Sequence, residues 1–255
     1  ILALAVLALL WFLLSRTALE TPVMTALFAG FLYYYLRYRT GRLRSLYAAL
    51  VLGALAFYTY FPGQVVVVLT GALLLLTDLP YHWKNRRVTL PAAFLLIVLV
   101  LPLVRFFLQQ PGEYTARLSH YGSYLVDPTL SPAVRAQRYL TNYLTALSPV
   151  YWFNPANVEP VWWKMKGYGN LWLPALPFLL YGFYLALRRF RRPEMRAVLF
   201  AWLAGPAAAA TLAVEITRCL SMLVPLSLLA GLGLSAALNW LDQRTRRTAQ
   251  LSWLV

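Results

Sequence analysis

Apolar residues in this chain come in long unbroken runs, not in the alternation of half-buried strands or the one-sided stripe of water-soluble helices. Eight runs can be drawn, at about 1–14, 19–36, 46–60, 64–77, 90–107, 171–187, 197–213 and 221–238, and another opens at Leu251. A helix that crosses a bilayer needs about 20 apolar residues. The runs 46–60 and 64–77 are short for that, and are predicted to extend into their flanks or to form a partly re-entrant pair. The predicted fold is all-α: a polytopic transmembrane bundle of about eight spans. Pro91, Pro102, Pro174, Pro177, Pro206 and Pro225 lie in or beside these runs. There they kink helices, and neighbouring helices satisfy the freed carbonyls.

One stretch breaks the pattern. From Phe106 to Asn170 the chain is mixed in polarity, which divides it into membrane helices over 1–105, a long loop over 106–170 and membrane helices over 171–255. Inside the loop, Ser131 to Tyr151 reads as a helix, with Ser131 as cap and Pro132 in the first turn. Val134, Tyr139, Tyr143, Leu144 and Leu147 fall broadly on one side and Arg135 and Arg138 on another, the pattern of a helix lying on a membrane surface. The aromatic stretch that follows, Tyr151, Trp152, Phe153, Trp162 and Trp163, suits the headgroup zone or a platform for a sugar ring or lipid chain.

Composition agrees with the runs. The chain is 61% hydrophobic and 12% charged, against about a quarter charged in soluble domains. The net charge of +15 would suggest nucleic acid in a soluble chain, but its distribution points elsewhere. Lys and Arg gather in the loops that follow alternate runs: 37–44, 84–87, 188–196 and 244–247 hold 15 of the 23 basic residues. By the positive-inside rule those loops face the cytoplasm. The long loop then faces the other side of a plasma (inner) membrane, together with Ser15–Glu20, Tyr58–Gly63 and Glu215–Arg218. No nucleic-acid partner is expected. The chain holds one cysteine, Cys219, and two histidines, His82 and His120. With neither a Cys/His cluster nor an aspartate metal motif, no metal and no cofactor are expected.

Candidate chemistry lies on the predicted outer face. Arg16 and Arg218 sit at span boundaries, where a planar guanidinium can donate two hydrogen bonds to a phosphate. Tyr58, Tyr60 and Gln64 form the tip of a hairpin between two spans, and His120 and Tyr121 lie early in the long loop. Glu215 stands three residues before Arg218 and can pair with it. Two arginines and few acids suit an anionic group held at the bilayer surface.

The order of these segments resembles the polytopic glycosyltransferases of the GT-C superfamily, relatives of protein O-mannosyltransferase and of the lipid A aminoarabinose transferase. The likeness is carried by SRTALETPVMTALFAGFLYYYLRYR from Ser15, by LYAALVLGALAFYTYFPG from Leu46, and by Gly169 to Gly233. That last stretch has the family's pattern of a "G-x-L…P…G" span, a basic loop, a short outer loop with an arginine, and "P…L-L-A-x-G". Two positions depart from it: Gln64 stands where many relatives have Arg, and Glu215 where many have His.

The resemblance implies a donor sugar on a polyprenyl or dolichyl phosphate and an acceptor (protein, lipid or glycan) entering from the outer face. Arg16 and Arg218 would bind the donor phosphate. Tyr58, Tyr60, Gln64, His120, Tyr121 and Glu215 would contact substrate or lipid. The resemblance places the family's catalytic base, a carboxylate in the first outer loop, before Ile1, so the stretch in hand is expected to be inactive by itself. A transporter or lipid flippase is the alternative, weakened because the predicted spans are nearly free of ionisable residues. A non-catalytic assembly protein of the cell envelope is a third.

Overall fold

The computed structural model describes residues 19–157, 159, 163 and 166–251, with side chains to residue 243. The first predicted run, and Arg16 with it, lies outside the described residues. Among the described residues all regular structure is helical. Helices α1 (Glu20–Arg39), α2 (Ser45–Thr59) and α3 (Phe61–Thr77) form an antiparallel layer. Helix α4 (Leu79–Lys84) is a short turn of chain leading into α5 (Arg86–Gln109). The long loop folds into α6 (Glu113–His120), α7 (Pro132–Leu147) and α8 (Pro149–Phe153). A second helical group follows: α9 (Leu176–Arg188), α10 (Pro193–Ala204), α11 (Pro206–Ala209), α12 (Ile216–Cys219) and α13 (Leu223–Leu251).

The sequence explains the breaks. After α1 the chain reverses through Gly41, whose φ of 96° suits a residue without a Cβ. Between α2 and α3 a single extended residue, Tyr60, makes the turn, and Pro62 starts the next helix where its missing N–H costs nothing. The predicted run 197–213 does not stay helical: α10 stops at Ala204 and α11 at Ala209. Pro206 brings no N–H to the ladder, so carbonyls along this stretch need other donors.

The long loop supplies them. Tyr143 donates to the Leu203 carbonyl at 2.7 Å, Tyr139 to Ala207 at 3.2 Å and Ser123 to Thr211 at 2.7 Å. Tyr124 donates to Ala210 and Asn142 to Leu212. The face of α7 predicted to lie on a membrane is therefore packed on protein at its tyrosines, while Leu140 and Leu144 stay exposed. Ser131 does cap the helix, its hydroxyl accepting from the Val134 N–H. The aromatic stretch also differs from expectation. Tyr151, Trp152 and Phe153 are core residues, with Trp152 donating to the Ala146 carbonyl at 2.7 Å.

Two apolar cores result. One joins α1, α2, α3 and α10 through Met24, Phe28, Phe31, Val66 and Phe200. The other joins α8, α9, α12 and α13 through Trp152, Leu179, Met222 and Leu229. Helices α9 and α13 touch backbone to backbone. A Cβ on Gly182 would lie 1.8 Å from the Leu229 carbonyl oxygen, and one on Gly233 would lie 1.9 Å from that of Phe178.

Two stretches are long and apolar enough to cross a membrane by length and composition, Arg86–Gln109 and Ile216–Gln243. The second is 61% buried over its most apolar window and the first only 6%. Helix α5 thus turns Leu90, Phe94, Ile97, Leu101 and Leu108 away from the rest of the protein. Helices α2, α3 and Leu173–Arg188 are apolar but shorter.

Candidate functional site

At the tip of the α2–α3 hairpin the chain brings together side chains that are far apart in sequence. The Arg218 guanidinium, on α12, lies 3.3 Å from the Glu215 carboxylate and donates to the Ala213 carbonyl at 2.8 Å. Both contacts use Nη1. Among the described residues Nη2 and Nε have no acceptor, and the side chain is 20% exposed. Trp163, from the long loop, donates its indole N–H to the other Glu215 oxygen at 2.8 Å. Tyr60 turns toward the same group: Thr21 in the first turn of α1 is a polar neighbour of its hydroxyl, and Arg218, Glu215 and Glu20 are its charged neighbours.

Beneath Arg218, Tyr151 donates to the carboxylate of Glu159, and both side chains are buried beside the Cys219 thiol. The group locks the loop onto α12. Asn157 and Asn170 reinforce it by donating to the Tyr151 carbonyl at 2.9 and 3.2 Å. Gly169 has no alternative here, since a Cβ would lie 2.6 Å from the Phe153 backbone.

The remaining predicted residues divide. Tyr58 and Gln64 lie on the opposite side of the hairpin from Tyr60. Gln64 accepts from the Tyr114 hydroxyl at 2.9 Å, and Arg117 sits 5.7 Å from the Phe61 ring centroid, 3.7 Å from Glu113. These residues, with Tyr58 and Phe106, line a pocket of about 300 Å³. Burial raises the Tyr114 phenol above its ordinary range, with Arg117 opposing. His120 and Tyr121 stack edge to face at 5.3 Å and are exposed, apart from both groups.

From Tyr58 a longer slot runs between α2, α3 and α5 toward α4. Its volume is about 370 Å³, and its wall is apolar except for Tyr58, Tyr35 and His82. Tyr58 donates to the Leu99 carbonyl at 2.7 Å, close to the Pro102 position on α5.

The far end of the slot meets a charged cluster that sequence reasoning had treated only as loop charge. Asp78, with its side chain 1% exposed, receives Arg39 at 3.1 Å, Arg196, and the Tyr35 hydroxyl at 2.5 Å. Arg39 lies 3.8 Å above the Tyr81 ring. Residues from two of the four basic loops, Arg39 and Arg196, thus converge on Asp78 at one end of the bundle. Tyr38 stacks on His82 and its hydroxyl lies 3.0 Å from His82 Nδ1. The sequence signal for this cluster was slight: Asp78 is one of three acids, with Glu194 and Asp242, in or beside the basic loops. Among the described residues no group of three acidic, histidine or cysteine side chains could hold a metal ion.

Comparisons with protein-family models, with curated proteins and with solved structures return no match. The likeness to the GT-C enzymes therefore rests on the order and spacing of the segments quoted above.

Proposed function

We propose that the chain belongs to a membrane glycosyltransferase that moves a sugar from a polyprenyl- or dolichyl-phosphate carrier to an acceptor. The observation that carries this reading is the meeting of Tyr60, Arg218 and Glu215 at one end of the bundle, with Trp163 of the long loop closing over them. The resemblance assigns Arg218 to the donor phosphate and Tyr60 to a contact with substrate or lipid. Among the described residues Nη2 and Nε of Arg218 carry no acceptor, and such a pair of N–H donors suits two phosphate oxygens.

In this reading the chain is a multi-pass protein of the plasma (inner) membrane, with about eight spans and an outer loop over 106–170. Hydrocarbon is the medium that solvates the apolar, outward-facing α5. The acceptor hydroxyl attacks the anomeric carbon with inversion, and the bond from that carbon to the phosphate oxygen breaks. Negative charge grows on the departing lipid phosphate, where a fixed guanidinium N–H stabilises it more than it stabilises the ground state. The acceptor's proton passes to a carboxylate base, a role given to none of the described residues. Glu159 is unsuited to it, being 4% exposed and bonded to Tyr151.

The test is sugar transfer by the full-length protein in membranes, with radiolabelled polyprenyl-phosphate sugars as donors. Arg218→Ala should lower transfer by about 10- to 100-fold at matched expression, the loss of a hydrogen bond to a charged group. Arg218→Lys should recover part of it. Undiminished transfer by Arg218→Ala, or none by the wild type with any of several donors, would overturn the proposal.

A further inference from the structure

The slot between α2, α3 and α5 carries an inference that does not depend on sugar transfer. Three side chains on its wall have a polar atom, and two of them are committed. Tyr58 donates to the Leu99 carbonyl and Tyr35 to Asp78. The third, His82, is 5% exposed; Nδ1 faces the Tyr38 hydroxyl, and Nε2 has no hydrogen-bond partner. A polar nitrogen buried against an apolar wall is costly unless a partner meets it. With Tyr38 donating to Nδ1, the ring proton sits on Nε2, a buried N–H without a partner in a residue that lines the slot.

The charges behind His82 favour an anion as that partner. Arg39 and Arg196 share the single carboxylate of Asp78, so the cluster carries a surplus positive charge. Arg39 Nη1 and Arg196 Nε are also buried without a hydrogen-bond acceptor. The shape of the slot suits one aliphatic chain. Its wall on α2 runs from Leu46 to Tyr58, about 18 Å at the helical rise, against roughly 15 Å for half of a bilayer's hydrocarbon core.

We propose that this slot binds one aliphatic chain of an anionic amphiphile, its acidic head at His82 and its methyl end at Tyr58. A carrier lipid with its phosphate at the α2–α3 tip would lie the other way round, leaving its apolar end against His82. The site is therefore distinct from the one at Arg218. The head can be a carboxylate or a phosphate, as in a free fatty acid or a lipid headgroup.

The experiment uses the full-length protein in detergent micelles and a palmitate with a photoreactive diazirine at its methyl end. Labelling is mapped by peptide mass spectrometry, with palmitate, hexadecyl phosphate and hexadecane as competitors. Labelling should fall near Tyr58 and Leu103, and either acid should compete while hexadecane does not. The stronger acid competitor identifies the head. Gly71→Phe should cut labelling at least tenfold while the protein stays folded, because Gly71 lines the slot and a Cβ there meets nothing within 4 Å. His82→Phe should weaken palmitate competition by about tenfold. Labelling near Leu46, equal competition by hexadecane, or unchanged labelling of Gly71→Phe would each overturn the proposal. Transfer activity enters none of these readouts, so this proposal and the preceding one fail separately.

Discussion

The same substitution, glycine to alanine, should change stability in opposite directions at two helical positions. Gly182, on α9, is buried against α13, and a Cβ there would lie 1.8 Å from the Leu229 carbonyl oxygen and 2.7 Å from its carbon. Carbon contacts settle near 3.5–4.0 Å, so the helices must part by roughly 1.5 Å to admit the methyl group. The obstacle is backbone, which no rotamer change can move aside. Overpacking of this kind costs about 1–3 kcal/mol or more, and separating two packed backbones also forfeits dispersion along the interface. Alanine returns up to about 1 kcal/mol of helix propensity. The net expectation for Gly182→Ala is a loss of about 2 kcal/mol.

At Gly71, on α3, a Cβ meets nothing within 4 Å. Only the propensity term remains, and Gly71→Ala should gain about 0.5–1 kcal/mol. Denaturant unfolding of both variants in the same detergent measures the difference, expected near 3 kcal/mol. If Gly182→Ala is as stable as the wild type, or if both variants shift together, the close packing of α9 on α13 is wrong.

Three further outcomes follow from the buried charged groups. Asp78→Asn leaves Arg39 and Arg196 at the α4 end without a counter-charge, and should cost about 3–5 kcal/mol in the same unfolding assay. His82 is held below its ordinary range by burial, with Asp78 opposing and Arg39 adding. The unfolded chain then takes up this proton first on acidification. Stability should fall as pH drops below about 6.5 until the folded-state value is passed, and His82→Gln should flatten that part of the pH–stability curve. Cys219, the single cysteine, should resist maleimide at pH 7.5 in the folded protein and react once unfolded, because its thiol is fully buried. Rapid labelling of the native protein would contradict the Tyr151–Glu159–Cys219 packing.

What the sequence made legible was mostly local. Apolar runs marked α1, α2, α3 and α5 closely, and the Ser131–Pro132 signal marked the start of α7, because caps and helix-starting prolines act within a few residues. What it hid was partnership. Periodicity assigned Tyr139 and Tyr143 to one face of α7 without saying that the face would meet carbonyls freed around Pro206. The stretch from Tyr151 to Phe153 carries the composition of a membrane-interface belt, yet it fills a core beside Leu179 and Met222. Composition cannot separate those two fates for an aromatic side chain. Asp78 read as one acid among many bases; its burial between two arginines depends on which loops converge.

The candidate site was half legible. Tyr60, Glu215 and Arg218 meet, whereas Tyr58 and Gln64 turn to the other side of the hairpin and His120 and Tyr121 stand apart. Successive residues at the hairpin tip point in different directions, and only the extended backbone at Tyr60 fixes which goes where.

The most direct measurement is the affinity of the purified full-length protein for a short-chain polyprenyl monophosphate, read by titration calorimetry in detergent. Wild type would be compared with Arg218→Ala and Glu215→Gln. Arg218→Ala should weaken binding by at least about tenfold, and Glu215→Gln should tighten it by releasing the guanidinium from its 3.3 Å partner. Equal affinities for all three proteins would contradict a phosphate site at Arg218.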